Sequence, residues 1–425
     1  MKNQADVINR VEIVFQDRPK IVEMFKACYK NTLETTLSYD EQTETSFMVT
    51  GDIPAMWLRD SVNQLRPYLL IAEHDESLQR VIEGVIKKLK ICVLHDPYAN
   101  AFNEENNNKG HQTDLTKMTG NVWERKYEID SLCSPIQLSY LYWKNTGKSN
   151  HFDDLFFKVI LNILDVWETE QEHFKKSDYT FQRPGARYTS ILPNDGQGTK
   201  VSYTGMTWSG FRPSDDRCEY GYLIPSNMFA TVVLNYILEI NNFFYQDMTL
   251  AERVETLRNL IQDGIKKNAV INDSDFGEVY AYEVDGLGNT LIMDDANVPS
   301  LLSLPYIGYC DVEDEIYQNT RKMILSKKNP YYFEGEFAKG IGSPHTHPDY
   351  IWHISLAVEG MTSINPADHQ RLLDYFEKTD ADTNLVHEGF HKDDPFVYTR
   401  EWFSWSNAMF VEYIMKLCGL EIKTV

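Results

Sequence analysis

Three segments of this 425-residue chain gather carboxylates, arginines and indole rings closely enough for acid–base chemistry on a hydroxyl-rich ligand. In Thr50-Gly-Asp-Ile-Pro-Ala-Met-Trp-Leu-Arg-Asp60, the residues Asp52, Trp57, Arg59 and Asp60 fall within nine positions. An arginine beside an aspartate sets a fork of donors next to an acceptor, which suits vicinal hydroxyls, and Trp57 adds a flat apolar platform. The second segment, Tyr203 to Tyr222, holds the adjacent pair Asp215 and Asp216 between Arg212 and Arg217, with Glu219 close by. Burial against aromatic rings raises a carboxyl pKa and keeps the group protonated, as a general acid requires, whereas neighbouring arginines oppose this. Only one of two adjacent aspartates points easily at a given substrate, so the acid is one of the two. The competing structural role is an N-cap for the apolar run that begins at Tyr222. In the third segment, His387-Glu-Gly-Phe-His391, the carboxylate of Glu388 lies in a loop before the last helix, with Gly389 allowing close approach. Glu401 is its rival, but Arg400 adjoins it and a helix start there favours a negative charge for purely structural reasons.

Other chemistries lack their residues. His345 and His347 form a His-x-His pair, yet no third and fourth ligand follows at metal-binding spacing, so no metal is expected and these histidines suit hydroxyl binding or loop capping. There is no Gly-x-Gly-x-x-Gly, no Gly-x-x-x-x-Gly-Lys-Ser/Thr and no Gly-x-Ser-x-Gly, which weakens dehydrogenase, nucleotide hydrolase and serine hydrolase readings, and no cofactor is expected. Cys218 has no histidine nearby and makes a poor nucleophile. Two separated carboxylates amid Trp and Tyr on a helical scaffold remain, an arrangement suited to cleaving a glycosidic bond.

Helices must position these groups, because a three- to four-residue apolar period dominates the chain. It runs through Ile21, Met24, Phe25 and Cys28, through Leu78 to Leu89, and through Leu155 to Leu164. Thr249-Leu-Ala-Glu252 reads as a capping box, Asn365-Pro366 as an N-cap followed by proline, and Gly419 as a helix stop. Met228 to Tyr245 is the most apolar stretch and reads as a buried helix. The best strand is Phe276 to Glu283, ahead of a turn at Asp285-Gly286. About a dozen helical segments with no linker between them predict one all-α domain over residues 1–425, with helical hairpins closed into a toroid and function carried by the long loops.

Charge and composition narrow the partners. The chain has 41 Lys and Arg against 63 Asp and Glu, a formal net charge of −22, which repels phosphate backbones and argues against nucleic acid. No window approaches ~18–20 uninterrupted apolar residues, so no membrane span is expected. The N-terminus lacks the apolar core of a secretory signal, and the six cysteines are scattered without a Cys-x-x-Cys pair, so free thiols and a cytoplasmic location are expected. Aromatic residues reach 13 %, which fits either a well-filled core or a ring-lined sugar cleft. Nothing in the sequence sets an oligomeric state.

With these residues assembled, the chain resembles glycoside hydrolase family 125, the exo-α-1,6-mannosidases. The resemblance rests on Gly51 to Asp60, Trp123-Glu-Arg-Lys-Tyr-Glu-Ile-Asp130, Thr204 to Asp216, Met293 to Ser300, Gly340 to His345, His387 to Phe390 and Thr399-Arg-Glu-Trp402, and extends over nearly the whole chain. It implies an (α/α)6 barrel, an inverting mechanism without metal, and an α-linked manno-oligosaccharide substrate cut at its terminal non-reducing mannose. It further implies that Asp215 or Asp216 is the general acid and Glu388 the general base. Trp57, Arg59, Asp60, Trp208, Arg212 and His345 are the residues expected to grip the terminal mannose. A sugar phosphorylase or epimerase on the same scaffold, or a mannoside-binding protein without turnover, are the alternatives.

Overall fold

The computed structural model, which describes residues 3–424, contains two kinds of helix that differ first in how they begin. Its helices of eight residues or more are α1 (Gln4–Val14), α2 (Pro19–Thr35), α3 (Leu58–Leu65), α4 (Glu76–His95), α5 (Ile129–Thr146) and α6 (Asp154–Glu170). They continue with α7 (Ile224–Ile240), α8 (Met248–Asn268), α9 (Glu315–Ile324), α10 (His353–Met361), α11 (Pro366–Thr379) and α12 (Ser404–Leu417). Helices α4, α6, α8, α9 and α11 start with a side-chain cap, in which Asp75, Asp153, Asp247, Asp314 and Asn365 each accept a bond from a first-turn backbone N–H. Each of these helices buries one face. Helices α3, α5, α7, α10 and α12 have no side-chain cap; each follows an extended residue (Trp57, Glu128, Leu223, Trp352 and Phe403) and is buried nearly all round.

The two kinds alternate along the chain as an outer and an inner ring, which makes the fold an (α/α)6 barrel. The inner helix α3 packs on α5 and α12, α5 on α7, and α10 on α12. Outer α2 closes the ring against α12. The sixth inner position is taken by turns between Ser300 and Tyr309, where Tyr306 Oη donates to Glu412 of α12 at 2.8 Å and Gly308 lies beside Tyr236 of α7. One hydrophobic cluster runs through both rings from Val7 to Cys418. All six cysteines are unpaired, and five of them are buried. Among the described residues, no helix is long and apolar enough to cross a membrane.

Strands are more numerous than the sequence suggested, but they are short, and the three-stranded sheets stand at the starts of inner helices. Met56–Trp57 (β1), Ala101–Phe102 (β2) and Val122–Glu124 (β3) form one antiparallel sheet in that order. Tyr222–Leu223 (β4) pairs with Glu283–Val284 (β5), which pairs with Thr290–Leu291 (β6). Tyr350–Trp352 (β7), Gly389–His391 (β8) and Asp394–Thr399 (β9) form a third sheet. Four local readings of the sequence change. Asp247, not Thr249, caps α8. The strand expected over 276–283 is split, its first part pairing as Gly277–Tyr280 with Val270–Asp273 and its end becoming β5. The run expected to stay helical to Tyr245 leaves α7 at Ile240 for a wider turn that exposes Phe243. Finally, neither Asp215 nor Asp216 caps a helix, because α7 starts after β4.

The inner ring is packed tightly enough to test by one methyl group. A Cβ on Gly360 of α10 would lie 2.3 Å from Cε2 of the fully buried Tyr413 on α12. Gly360→Ala is therefore expected to lower stability by ~1–3 kcal/mol, read as a lower urea midpoint at an unchanged slope. An unchanged midpoint would show that α10 and α12 do not meet this closely.

Candidate active site

A cavity of about 300 Å³ opens at the end of the barrel where the inner helices start. That places it at the small end of the range for ligand cavities. Its wall comes from residues just before or inside those starts: Trp57, Arg59 and Asp60 around the β1–α3 junction, Trp352 at the end of β7, and Phe403 and Trp405 at the start of α12. Local backbone packing brings the junctions together. Gly51, at φ +133°, bridges to Phe403, and a Cβ there would lie 2.3 Å from the carbonyl oxygen of Trp402, so only glycine fits. Leu58 and Val62 of α3, on either side of the lining residues Arg59 and Asp60, are fully buried in the core.

One guanidinium organises the floor. Arg59, 3 % exposed, donates through Nη1 to Glu128 at 2.6 Å and Asp130 at 2.9 Å, and lies 3.6 Å from Asp60 and 3.7 Å from Asp215. It also stands over the Trp405 ring at 5.3 Å. The buried atoms Trp57 Nε1, Trp405 Nε1 and Asp60 Oδ2 have no hydrogen-bond partner in the protein. Such groups cost ~1–3 kcal/mol each when left unpaired, so a ligand bearing hydroxyls gains by pairing them. Burial pushes the Asp60 carboxyl up to about 6, with Arg59 opposing and Asp215 adding to the rise.

The backbone separates the two adjacent aspartates. Asp215 adopts φ +64° in a tight turn closed by Asp215 N–H to Arg212 O at 2.9 Å and Arg212 N–H to Asp216 O at 2.8 Å. Asp215 faces the cavity, where Asn100 Nδ2 donates to it at 3.0 Å. Asp216 turns away, its side chain 1 % exposed, and meets Nδ1 of His345 at 3.2 Å. Burial works to raise the Asp215 pKa, but Lys126, Arg59, a hydrogen bond from Glu128 and His345 bring it down to about 2. Glu128 shows the opposite balance. Burial, Asp215 and Asp130 hold it well above the carboxylate range although Arg59 opposes them.

Glu388 stands on the same cavity, 7 % exposed, immediately before β8. The β8–β9 pairing of Gly389 with Thr399 brings Arg400 alongside, its Nη1 3.8 Å from Glu388. Arg400 also pairs with Asp52 and lies over the Phe403 ring at 4.2 Å. Burial works to lower the His345 pKa, but Asp216, with Glu388 and Asp215 beyond it, raises it to about 9, so the imidazole is a cation at neutral pH.

Of the residues singled out in the sequence, Trp57, Arg59, Asp60, Asp215, His345 and Glu388 therefore line one cavity, with Asp216 directly behind. Two do not. Trp208 is a core residue, 1 % exposed, stacked on His173 at a centroid distance of 3.6 Å. Arg212 is buried beneath the Asp215 turn, bonded to Glu283 at 2.6 Å, while the other oxygen of Glu283 holds the N–H groups of Glu219 and Tyr220. Glu401 is exposed and outside the cavity, and Cys218 is buried with its thiol held well above the usual range by desolvation. His345 and His347 have different neighbours, Asp216 for the first and the Tyr350 ring for the second. Sequence reasoning missed Asn100, Lys126, Glu128, Asn297, Trp352 and Trp405. The motifs Trp123 to Asp130 and Met293 to Ser300 contain Lys126, Glu128 and Asn297 and were the available signal.

Comparison with known proteins agrees with the fold and the cavity. The family profile described as "Metal-independent alpha-mannosidase (GH125)" matches residues 18–415. A Streptococcus pneumoniae α-mannosidase, solved in a non-productive complex with α-1,6-mannobiose, is 49 % identical and superposes with a TM-score of 0.95 over 98 % of each chain. The "Meiotically up-regulated gene 157 protein" of Schizosaccharomyces pombe is 38 % identical over 440 residues, covering 98 % of this chain and 86 % of that one. A bacterial glucoamylase bound to acarbose shares the fold alone, at 13 % identity and a TM-score of 0.53 over 87 % of this chain and 49 % of its own. With nearly its whole length inside the profile and a cavity lined by carboxylates and indoles, the chain belongs to glycoside hydrolase family 125, the metal-independent α-mannosidases.

Proposed function

We propose that this α-mannosidase removes a terminal, non-reducing α-1,6-linked mannose with inversion, using Asp215 as general acid and Glu388 as general base. The observation that carries the reading is that these two carboxylates, 173 positions apart, stand on one small cavity. A cavity of about 300 Å³ has room for little more than one sugar ring, which supports exo action. Binding of α-1,6-mannobiose by the pneumococcal relative supports the linkage. Residues 1–425 act as one catalytic domain, in keeping with the one large core cluster that runs through both rings. The unpaired cysteines suit a reducing cytoplasm.

In this mechanism Trp57, Trp405, Arg59 and Asp60 hold the mannose ring through its hydroxyls and its apolar face. Glu388 takes a proton from water as the water oxygen attacks the anomeric carbon, and Asp215 gives a proton to the departing O6 of the next sugar. The transition state resembles an oxocarbenium ion, which the surrounding carboxylates stabilise. Arg400, 3.8 Å away, orients Glu388. Asp216 acts through His345 and does not touch the sugar.

Two outcomes test this. Glu388→Gln and Asp215→Asn are each expected to lower kcat on α-1,6-mannobiose by at least ~10²-fold, while Asp216→Asn does less. NMR of the first product is expected to show β-mannose, without any need for phosphate. A first product of α-mannose, or phosphate-dependent release of mannose 1-phosphate, would overturn the reading. Asp60→Asn is expected to raise KM roughly 10- to 100-fold with a smaller effect on kcat, the equivalent of one charge-assisted hydrogen bond of ~1.5–3 kcal/mol. An unchanged KM would remove Asp60 from the binding set.

A further inference from the structure

The general acid has an unsolved problem of charge. Glu128 and Asp215 stand in a buried space with Asp60, Asp130 and Glu124, five carboxyls in all, where the adjoining cations are Arg59 and Lys126, with Arg183 on the outer side of Glu124. Burying more carboxylates than cations is costly, so protons must be retained. Glu128 is 1 % exposed and does not line the cavity. Its carboxyl and that of Asp215 both face the Arg59 guanidinium, at 2.6 Å and 3.7 Å, and two carboxyls crowded on one buried cation favour holding a proton between them. Asn100 Nδ2 reaches both, at 3.4 Å and 3.0 Å, which fixes their geometry without neutralising either.

We propose that Glu128 is a positioning residue that stores the proton Asp215 delivers, which rests on Asp215 being the acid. In the free site Glu128 carries the proton and Asp215 is the carboxylate. When mannoside occupies the cavity, the proton crosses to Asp215. The Asp215 O–H bond then breaks as the leaving oxygen takes the proton and its bond to the anomeric carbon breaks, while Glu388 accepts a proton from the attacking water. Asp215 and Glu128 end as carboxylates and Glu388 as the acid, and transfer of one proton from Glu388 to Glu128 through solvent resets the site. The groups facing the pair are Arg59 and Asp60 from α3, Glu124 and Lys126 from the segment after β2, and Asp130 and Ser131 of α5. The neutral Cys218 thiol and the His345 cation face it from the remaining sides.

The test compares α-1,6-mannobiose with 2,4-dinitrophenyl α-mannoside, whose leaving group departs without a proton. For Glu128→Gln, kcat/KM on mannobiose is expected to fall about 100-fold, with the alkaline limb of its pH profile shifted to lower pH, while the dinitrophenyl substrate loses less than about threefold. Equal losses on both substrates would make Glu128 merely structural and overturn the proposal, as would an unchanged mannobiose profile. Asp215→Asn in the same assays separates the two levels. If it keeps mannobiose turnover, the acid assignment itself fails; if it shows the acid's leaving-group dependence and Glu128→Gln does not, only the proton store fails. Should Glu128→Gln not fold, ¹³C NMR of glutamate-labelled wild-type enzyme decides. One glutamate carboxyl protonated at pH 7 and ionised in Asp215→Asn is expected, and a spectrum without it overturns the proposal.

Discussion

A single guanidinium at the bottom of the cavity sets the terms for the rest of the site. Arg59 touches Glu128 and Asp130 directly and lies within 4 Å of Asp60 and Asp215, so one positive charge is divided among four carboxyls in a largely buried space. The attraction of ions in such a space is strong, but so is the cost of removing them from water, and an unequal count of charges must be balanced by protons. The result is a set of carboxyls with separated protonation behaviour on one small surface. Asp60 is raised, Glu128 is raised further and Asp215 is lowered. Acid catalysis depends on that separation, because a proton must be available next to a group able to pass it on.

The barrel makes such a cluster tolerable. The outer helices α4, α6, α8, α9 and α11 take their caps from Asp and Asn side chains, but the inner helices have no side-chain cap, and at their starts backbone N–H groups and the helix dipole favour negative charge. Asp60 and Asp130 sit in the first turns of α3 and α5. Carboxylates that a soluble helix would spend on its own cap are here turned toward a ligand. The short strands complete the arrangement. The β1–β3 sheet holds Trp57 and the Asn100 region against the segment leading to Glu128, and the β7–β9 sheet holds Glu388 next to Arg400.

How much of this was readable before the structure depended on how local each signal is. Helices were legible from their apolar period, and Asn365-Pro366 and Gly419 mark real boundaries because caps and stops are set by one or two residues. The α8 cap was misplaced by two positions because Asp247 and Thr249 offer the same chemistry. Trp57, Arg59, Asp60 and Glu388 were legible because they lie at element ends, around the start of α3 and just before β8, where charged and aromatic residues have little structural reason to cluster. Trp208 and Arg212 have the same residue types in the same kind of loop, yet they pack on His173 and Glu283, which are remote partners that spacing does not reveal. The choice between Asp215 and Asp216 turned on a backbone torsion of +64°, and Glu128 looked like any residue at a helix start until the fold brought Asp215 to it.

The claim that matters most is that Asp215 and Glu388 act from opposite sides of one bound mannose with a water molecule between Glu388 and the anomeric carbon. A crystal structure with a non-hydrolysable α-1,6-mannobiose analogue measures this directly. A separation of roughly 6.5–9.5 Å between the two carboxyl groups, with the glycosidic oxygen at Asp215, is the expected result. A separation near ~5 Å, which leaves no room for water, or a glycosidic oxygen remote from Asp215, would contradict the account.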